Sequence, residues 1–137
     1  MHSQQPTTSP EQLAPGVTFE RIDNIYVFTL ADLSRASIDA WADRVQQLLD
    51  THPVDQVFLT LHHFANPYAV FTPYLKARTE QLKNVRTFSH AAIVLPRTGL
   101  TQMVAVLLPK ISHGNSSRFF TSREEGLAWL QEQSSGK

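Results

Sequence analysis

The 137-residue chain contains no cysteine. That absence excludes disulfides, thiolate metal sites and a cysteine nucleophile together. It also has no excess of either charge, twelve Lys and Arg balancing twelve Asp and Glu, so no net field draws nucleic acid or a membrane surface towards it. None of its five glycines builds a Gly-x-Gly-x-x-Gly or Walker-type phosphate loop. No apolar run approaches the roughly 20 residues needed to span a bilayer. The opening MHSQQPTTSPEQLAPG has neither the apolar core nor the basic region of a signal peptide. The expectation is a soluble cytoplasmic protein with no nucleic-acid partner, no integral membrane association and no cofactor.

What is present is the composition of one ordinary globular domain, 42% hydrophobic and 18% charged. Residues 1–15, rich in Ser, Thr, Gln and Pro, bury too little to offset the entropy of ordering and read as a flexible tail. Residues 16–133 read as a single domain, and 134–137 as a second tail that frays. Charge is uneven along the chain. Lys76, Arg78, Lys83, Arg86, Arg97, Lys110 and Arg118 face Glu80 alone, whereas acids prevail before them. This reads first as solvated helix faces of opposite sign, with an anion-binding patch as the sharper alternative.

The stretch that organises the chain is 56–64, QVFLTLHHF. It is too short for a helix and too apolar for a half-exposed strand, so it reads as a strand buried on both faces. Before it, Val17–Ile22 alternates like an edge strand, Asp23-Asn24 makes a turn, and Ile25–Leu30 returns as a more buried strand. Ser34 caps a helix whose inner face carries Ile38, Trp41, Val45, Leu48 and Leu49, and His52-Pro53 closes it. After the organising strand, a second helix starts irregularly at Asn66-Pro67 or regularly at Thr72-Pro73 and runs to about residue 82. Residues 90–95 form another buried strand, and 100–108 a helix apolar around nearly its whole circumference. Residues 118–120 form a last short strand, and Ser122 with Glu125 opens a terminal helix as a capping box. The order is ββαβαβαβα. It implies an α/β fold with a mostly parallel sheet, right-handed crossovers and an antiparallel edge hairpin.

Ligand chemistry in open α/β sheets gathers past the carboxyl ends of the strands. There the chain offers His62, His63 and Asn66. Adjacent on a strand, His62 and His63 point to opposite faces and do not share one metal ion. A nucleophile-and-base set has Thr60, Thr72 or Ser34 and Asp32 within reach of the histidines, but no nucleophile elbow exists. Arg97-Thr98 precedes a helix and offers an anion-binding start. The candidate ligand-binding set is therefore His62, His63, Asn66, Arg97 and Thr98. The candidate interaction surface is Tyr68, Phe71 and Thr72 with Leu100, Met103, Val104 and Leu107 of the apolar helix.

The hairpin, the IYVFTL strand, the QVFLTLHHF and HAAIVLP strands and the close RFFTSREEGLAWLQE resemble STAS-like domains, in a stand-alone branch of the anti-sigma-factor-antagonist-like (CRAL-TRIO/STAS-related) superfamily. The resemblance covers about residues 16–133 and implies a right-handed βα superhelix and a regulatory protein-binding role. Where that family carries a phosphorylatable serine, this chain reads Ala65-Asn66-Pro67-Tyr68-Ala69-Val70. Thr60 stands where relatives often have an acidic residue. The resemblance thus implies a non-enzymatic binding module without the phosphoserine switch, meeting a protein partner or a second copy of itself. A carrier of a lipid or anionic metabolite, with a pocket near His62 and Arg97, is the alternative.

Overall fold

The computed structural model describes residues 10–53, 55–66, 72–83, 89–95 and 116–136. Six strands form one mixed sheet in which each lies beside its neighbour in sequence: β1 (Glu11–Ala14), β2 (Val17–Ile22), β3 (Ile25–Leu30), β4 (Phe58–Phe64), β5 (Ser89–Val94) and β6 (Ser116–Phe120). The first three are antiparallel and β3 to β6 are parallel. Three helices are described, α1 (Arg35–Thr51), α2 (Pro73–Glu80) and α3 (Arg123–Gly136). The strand expected over 56–64 thus lies between β3 and β5, with every residue from Phe58 to Phe64 buried except half-buried His63.

Alternation along the strands sorts the core into two layers. On one face Tyr26, Phe28, Leu30, Phe58, Phe64 and Ile93 meet Ile38, Trp41, Ala42, Val45 and Leu49 of α1 and Leu75 of α2. On the other, Ile25, Val27, Leu59, Leu61, Ala92 and Val94 meet Trp129 and Leu130 of α3. The sheet is therefore sandwiched, α1 and α2 above and α3 below. Burying a large aliphatic side chain contributes about 1.5–3 kcal/mol, and Leu59 and Leu61 are both fully buried on a strand whose other face is buried too.

The helix boundaries follow local chemistry. The Ser34 hydroxyl accepts from the Ser37 N–H, 3.2 Å, and the Thr72 hydroxyl from the Leu75 N–H, 3.2 Å, with Pro73 in the first turn of α2. The regular start at Thr72 is thus the one adopted, because a proline inside the helix would remove a backbone bond. Ser122 accepts from the Glu125 N–H, 3.3 Å, but the carboxylate that takes its hydroxyl proton is that of Glu124, 3.0 Å.

Three expectations shift. Residues 11–14, expected within the amino-terminal tail, form β1, which pairs with β2 and turns the expected edge strand into an interior one. Composition hid β1 because its stability is non-local: a bulge between Gln12 and Ala14, Leu13 and Ala14 packed on the core, and a Glu11–Arg44 ion pair of 3.0 Å to α1. At the other end α3 continues to Gly136, with Asn24 donating to the Ser134 hydroxyl at 2.9 Å. The hairpin expectation holds, with Ile22 opposite Ile25 and Asp23 in the left-handed region at φ 55°, a conformation Asp tolerates better than most residues. The exit turn at 96–99 and the apolar helix at 100–108 lie outside the described residues.

Gly126 sets the spacing of the lower layer. A Cβ there would lie 3.1 Å from Leu61 Cδ1 and 3.3 Å from both Ala92 Cβ and Val94 Cγ2. Gly126→Val is expected to destabilise the fold by about 1–3 kcal/mol through overpacking. Exposed Ala128→Gly on the same helix should lose only about 0.5–1 kcal/mol of helix propensity. Urea unfolding of both variants checks this, and a stabilised Gly126→Val would contradict the close packing of α3.

Candidate functional site

His62 and His63 end the central strand and part company there. His62 turns to the α1 face, where Phe28 stacks on it at 5.6 Å with 6° between the rings. The Trp41 indole N–H donates to His62 Nδ1 at 3.0 Å, and His62 Nε2 lies 3.0 Å from Thr60 Oγ1. An indole nitrogen only donates, so Nδ1 is the acceptor and Nε2 carries the proton. Burial pushes the His62 pKa down to about 4. His62 is a neutral core residue with both nitrogens engaged.

That polarity also bears on the Thr60–His62 pair. By distance alone it resembles a nucleophile with its base. The imidazole, however, donates to the hydroxyl and so does not draw its proton away. Asp32, the other candidate in that set, is bound at the start of α1. Its Oδ1 accepts from Ser37 Oγ at 2.7 Å and from the Ser34 N–H at 3.0 Å, which hold the carboxyl below its usual range, the Ser37 bond foremost. Gly16 permits this approach, because a Cβ there would strike Asp32 Oδ2 at 2.3 Å.

His63 turns to the α3 face. It is half-buried, and its Nδ1 is enclosed with no hydrogen-bond partner among the described residues. Its pKa is lowered by burial first and by the Arg123 charge second, with Glu124 opposing. Around it the carboxyl ends of the strands and the first turn of α3 assemble a polar cluster. Arg123 donates to Glu20 Oε2 at 2.7 Å and to Thr29 Oγ1 at 3.3 Å. Glu124 is held below the usual carboxylate range by backbone N–H and the Ser122 hydroxyl. Within the cluster Arg123 pairs with Glu20, Glu124 adds a second carboxylate, and the enclosed Nδ1 of His63 has no hydrogen-bond partner among the described residues.

Asn66 lies half-buried two residues beyond β4, and Thr72 is the cap of α2. Arg97, Thr98, Tyr68, Phe71, Leu100, Met103, Val104 and Leu107 lie outside the described residues. The structure therefore separates His62 from His63 across the sheet. No group of three or more His, Asp or Glu able to hold a metal occurs among the described residues.

Two arrangements have no counterpart in the sequence reading. His52, which reads only as a helix stop, is buried, with Nε2 3.0 Å from the Val57 carbonyl and Nδ1 2.9 Å from the Tyr26 hydroxyl. A carbonyl only accepts, so His52 also carries its proton on Nε2. Between α1 and α2, Arg78 reaches Asp39 and Asp43, and the Tyr74 hydroxyl also donates to Asp39. The helical spacing of Asp39 and Asp43 was the available signal, but their cation sits a helix and a strand away.

Comparison with protein-family models, with curated proteins and with solved structures finds no match to this chain.

The His62 environment gives a pH prediction. Its folded pKa lies below the unfolded value of 6.5, so the unfolded chain binds the extra proton first. The stabilisation is complete above about pH 6.5 and is lost as pH falls towards 4, on the order of 3 kcal/mol across that window. His62→Phe should flatten that part of the urea-stability profile. It should also weaken the fold by about 1–3 kcal/mol at pH 7, because the Trp41 N–H is left unmatched. Equal slopes in the two proteins would contradict the buried neutral histidine.

Proposed function

We propose that this chain is a non-enzymatic binding module of STAS-like type, regulatory in character, that works through protein–protein contacts or self-association and without a phosphoserine switch. One observation carries the reading: the side chain best placed for chemistry, His62 at the end of the central buried strand, has both nitrogens committed to Trp41 and Thr60 inside the core. A strand end built this way stabilises a scaffold, and a scaffold of this class presents loops and helix faces. Four consecutive parallel strands, β3 to β6, with helices on both faces of the sheet support the reading as a STAS-like architecture. The surface proposed for these contacts is drawn from residues 66–72, with Tyr68, Phe71 and Thr72, and from the apolar stretch 100–108. A carrier of lipid or anionic metabolite with its pocket at His62 and Arg97 has less support, because that imidazole offers no free nitrogen.

Light scattering over micromolar concentrations tests the self-association arm. The reading predicts a mass rising above the 15.4 kDa of one chain and returning to it in Leu107→Glu. A strict monomer whose variant behaves identically removes self-association. Hydrolysis of ester or phosphoester substrates by the purified protein, abolished by His63→Ala, would overturn the non-enzymatic reading itself.

A further inference from the structure

The two edges of the sheet are built differently. Strand edges expose unpaired backbone groups that template another strand, and folded proteins blunt them with short strands, bulges, proline or charge. At β1 the edge is blunted in three ways. The strand has four residues, a bulge interrupts it between Gln12 and Ala14, and Pro15 follows. The Gln12 amide also turns onto the carbonyls of Ala14, 2.5 Å, and Pro15, 3.2 Å.

At β6 the bulge and the proline are absent, and a single arginine is the only charge. Its five residues, Ser116 to Phe120, run in unbroken register with β5 and include no proline. No described strand lies on its outer side. Its one charge is Arg118, exposed at the middle of the strand. Arg44, Arg78 and Arg123 all pair with carboxylates, but Arg118 has no such partner among the described residues. Its guanidinium lies instead over Phe120 and Trp129, 5.6 Å from each ring centroid. Those rings are held in place, Trp129 being buried against Phe120 and edge-on to His90 at 5.8 Å. An arginine laid on fixed aromatics is pre-organised, and its N–H groups match a carboxylate in two-point fashion.

We propose that the outer edge of β6 docks an extended segment of a partner protein, which adds as a further strand and sets an acidic side chain against Arg118. Strand addition supplies backbone hydrogen bonds that are indifferent to sequence, and alternate side chains supply the selection. Arg118 is the selecting group, so the preferred segment carries Asp or Glu on the face shared with Arg118. A second copy of this chain fits poorly: two-fold pairing centred on residue 118 sets Arg118 against its own copy, a like-charge cross-strand pair. Its residues, 116–120, are not among 66–72 and 100–108, so the two proposals are tested by different variants.

A displayed library of random twelve-residue peptides, panned on the full chain, tests the assignment. Enriched peptides are expected to be β-prone with Asp or Glu at a fixed alternate position. Their affinity should fall about five- to tenfold in Arg118→Glu and be partly kept in Arg118→Lys. Replacing the peptide's acid by Lys should restore binding to Arg118→Glu. Amide shifts on binding should concentrate on Ser116 to Phe120 and the Trp129 indole. Circular dichroism establishes that the variants fold, with Arg118→Gln replacing any that does not. No enrichment, enriched peptides without an acid, affinities indifferent to Arg118, shifts away from β6, or self-pairing of the chain through this edge would each overturn the proposal.

Discussion

A histidine on the central strand of a sheet buried on both faces must be neutral, and both of its nitrogens must find partners. Leaving one unmatched costs about 1–3 kcal/mol. In this chain the partners are the Trp41 indole from α1 and the Thr60 hydroxyl two residues earlier on β4. The Trp41 bond fixes more than the imidazole. It sets which side of α1 faces the sheet, and so which residues of α1 join Phe28 and Phe64 in the upper core. The far end of the helix repeats the device, with Tyr26 and the Val57 carbonyl holding His52. Trp41 and His52 are about 16 Å apart along the helix axis at 1.5 Å per residue. Helix α1 is thus pinned at two points by directional bonds, and hydrophobic burial between them supplies the bulk of the stabilisation.

This division of labour shapes the functional reading. The upper face at β4 is closed by packing, and its histidines belong to the frame. The lower face carries the half-buried His63 and the Arg123–Glu20–Thr29 cluster where α3 begins. Arg123 is paired with Glu20, and Ser122 and Glu124 complete the cluster as a helix start. At the last strand Arg118 rests on two aromatic rings instead of an acid. A binding module whose chemistry is confined to recognition accords with such a plan.

The strands and helices with strong local patterns were legible in the sequence. The apolar run ending in His62-His63, the Ser34 and Thr72 caps and the Asp23-Asn24 turn all follow from propensity and period, and all stand as read. Strand β1 was not legible, because Glu-Gln-Leu-Ala has no strand signal of its own and depends on β2 and Arg44. The opposite orientations of His62 and His63 were readable from the pleat. Their different fates were not, since these depend on a tryptophan 21 positions earlier and an arginine 60 positions later. The same reasoning hid the Arg78 bridge and the exposed Arg118. Sequence shows a cation, and only packing shows whether an acid reaches it.

The account rests on His62 being a neutral acceptor towards Trp41, and nitrogen-15 NMR of the imidazole tests it most directly. Between pH 5 and 8 the account predicts a constant spectrum for His62, with the proton on Nε2, Nδ1 at the shift of a hydrogen-bonded acceptor, and a coupling to the Trp41 indole proton. An imidazole that titrates near 6.5, or one protonated on Nδ1, would contradict it.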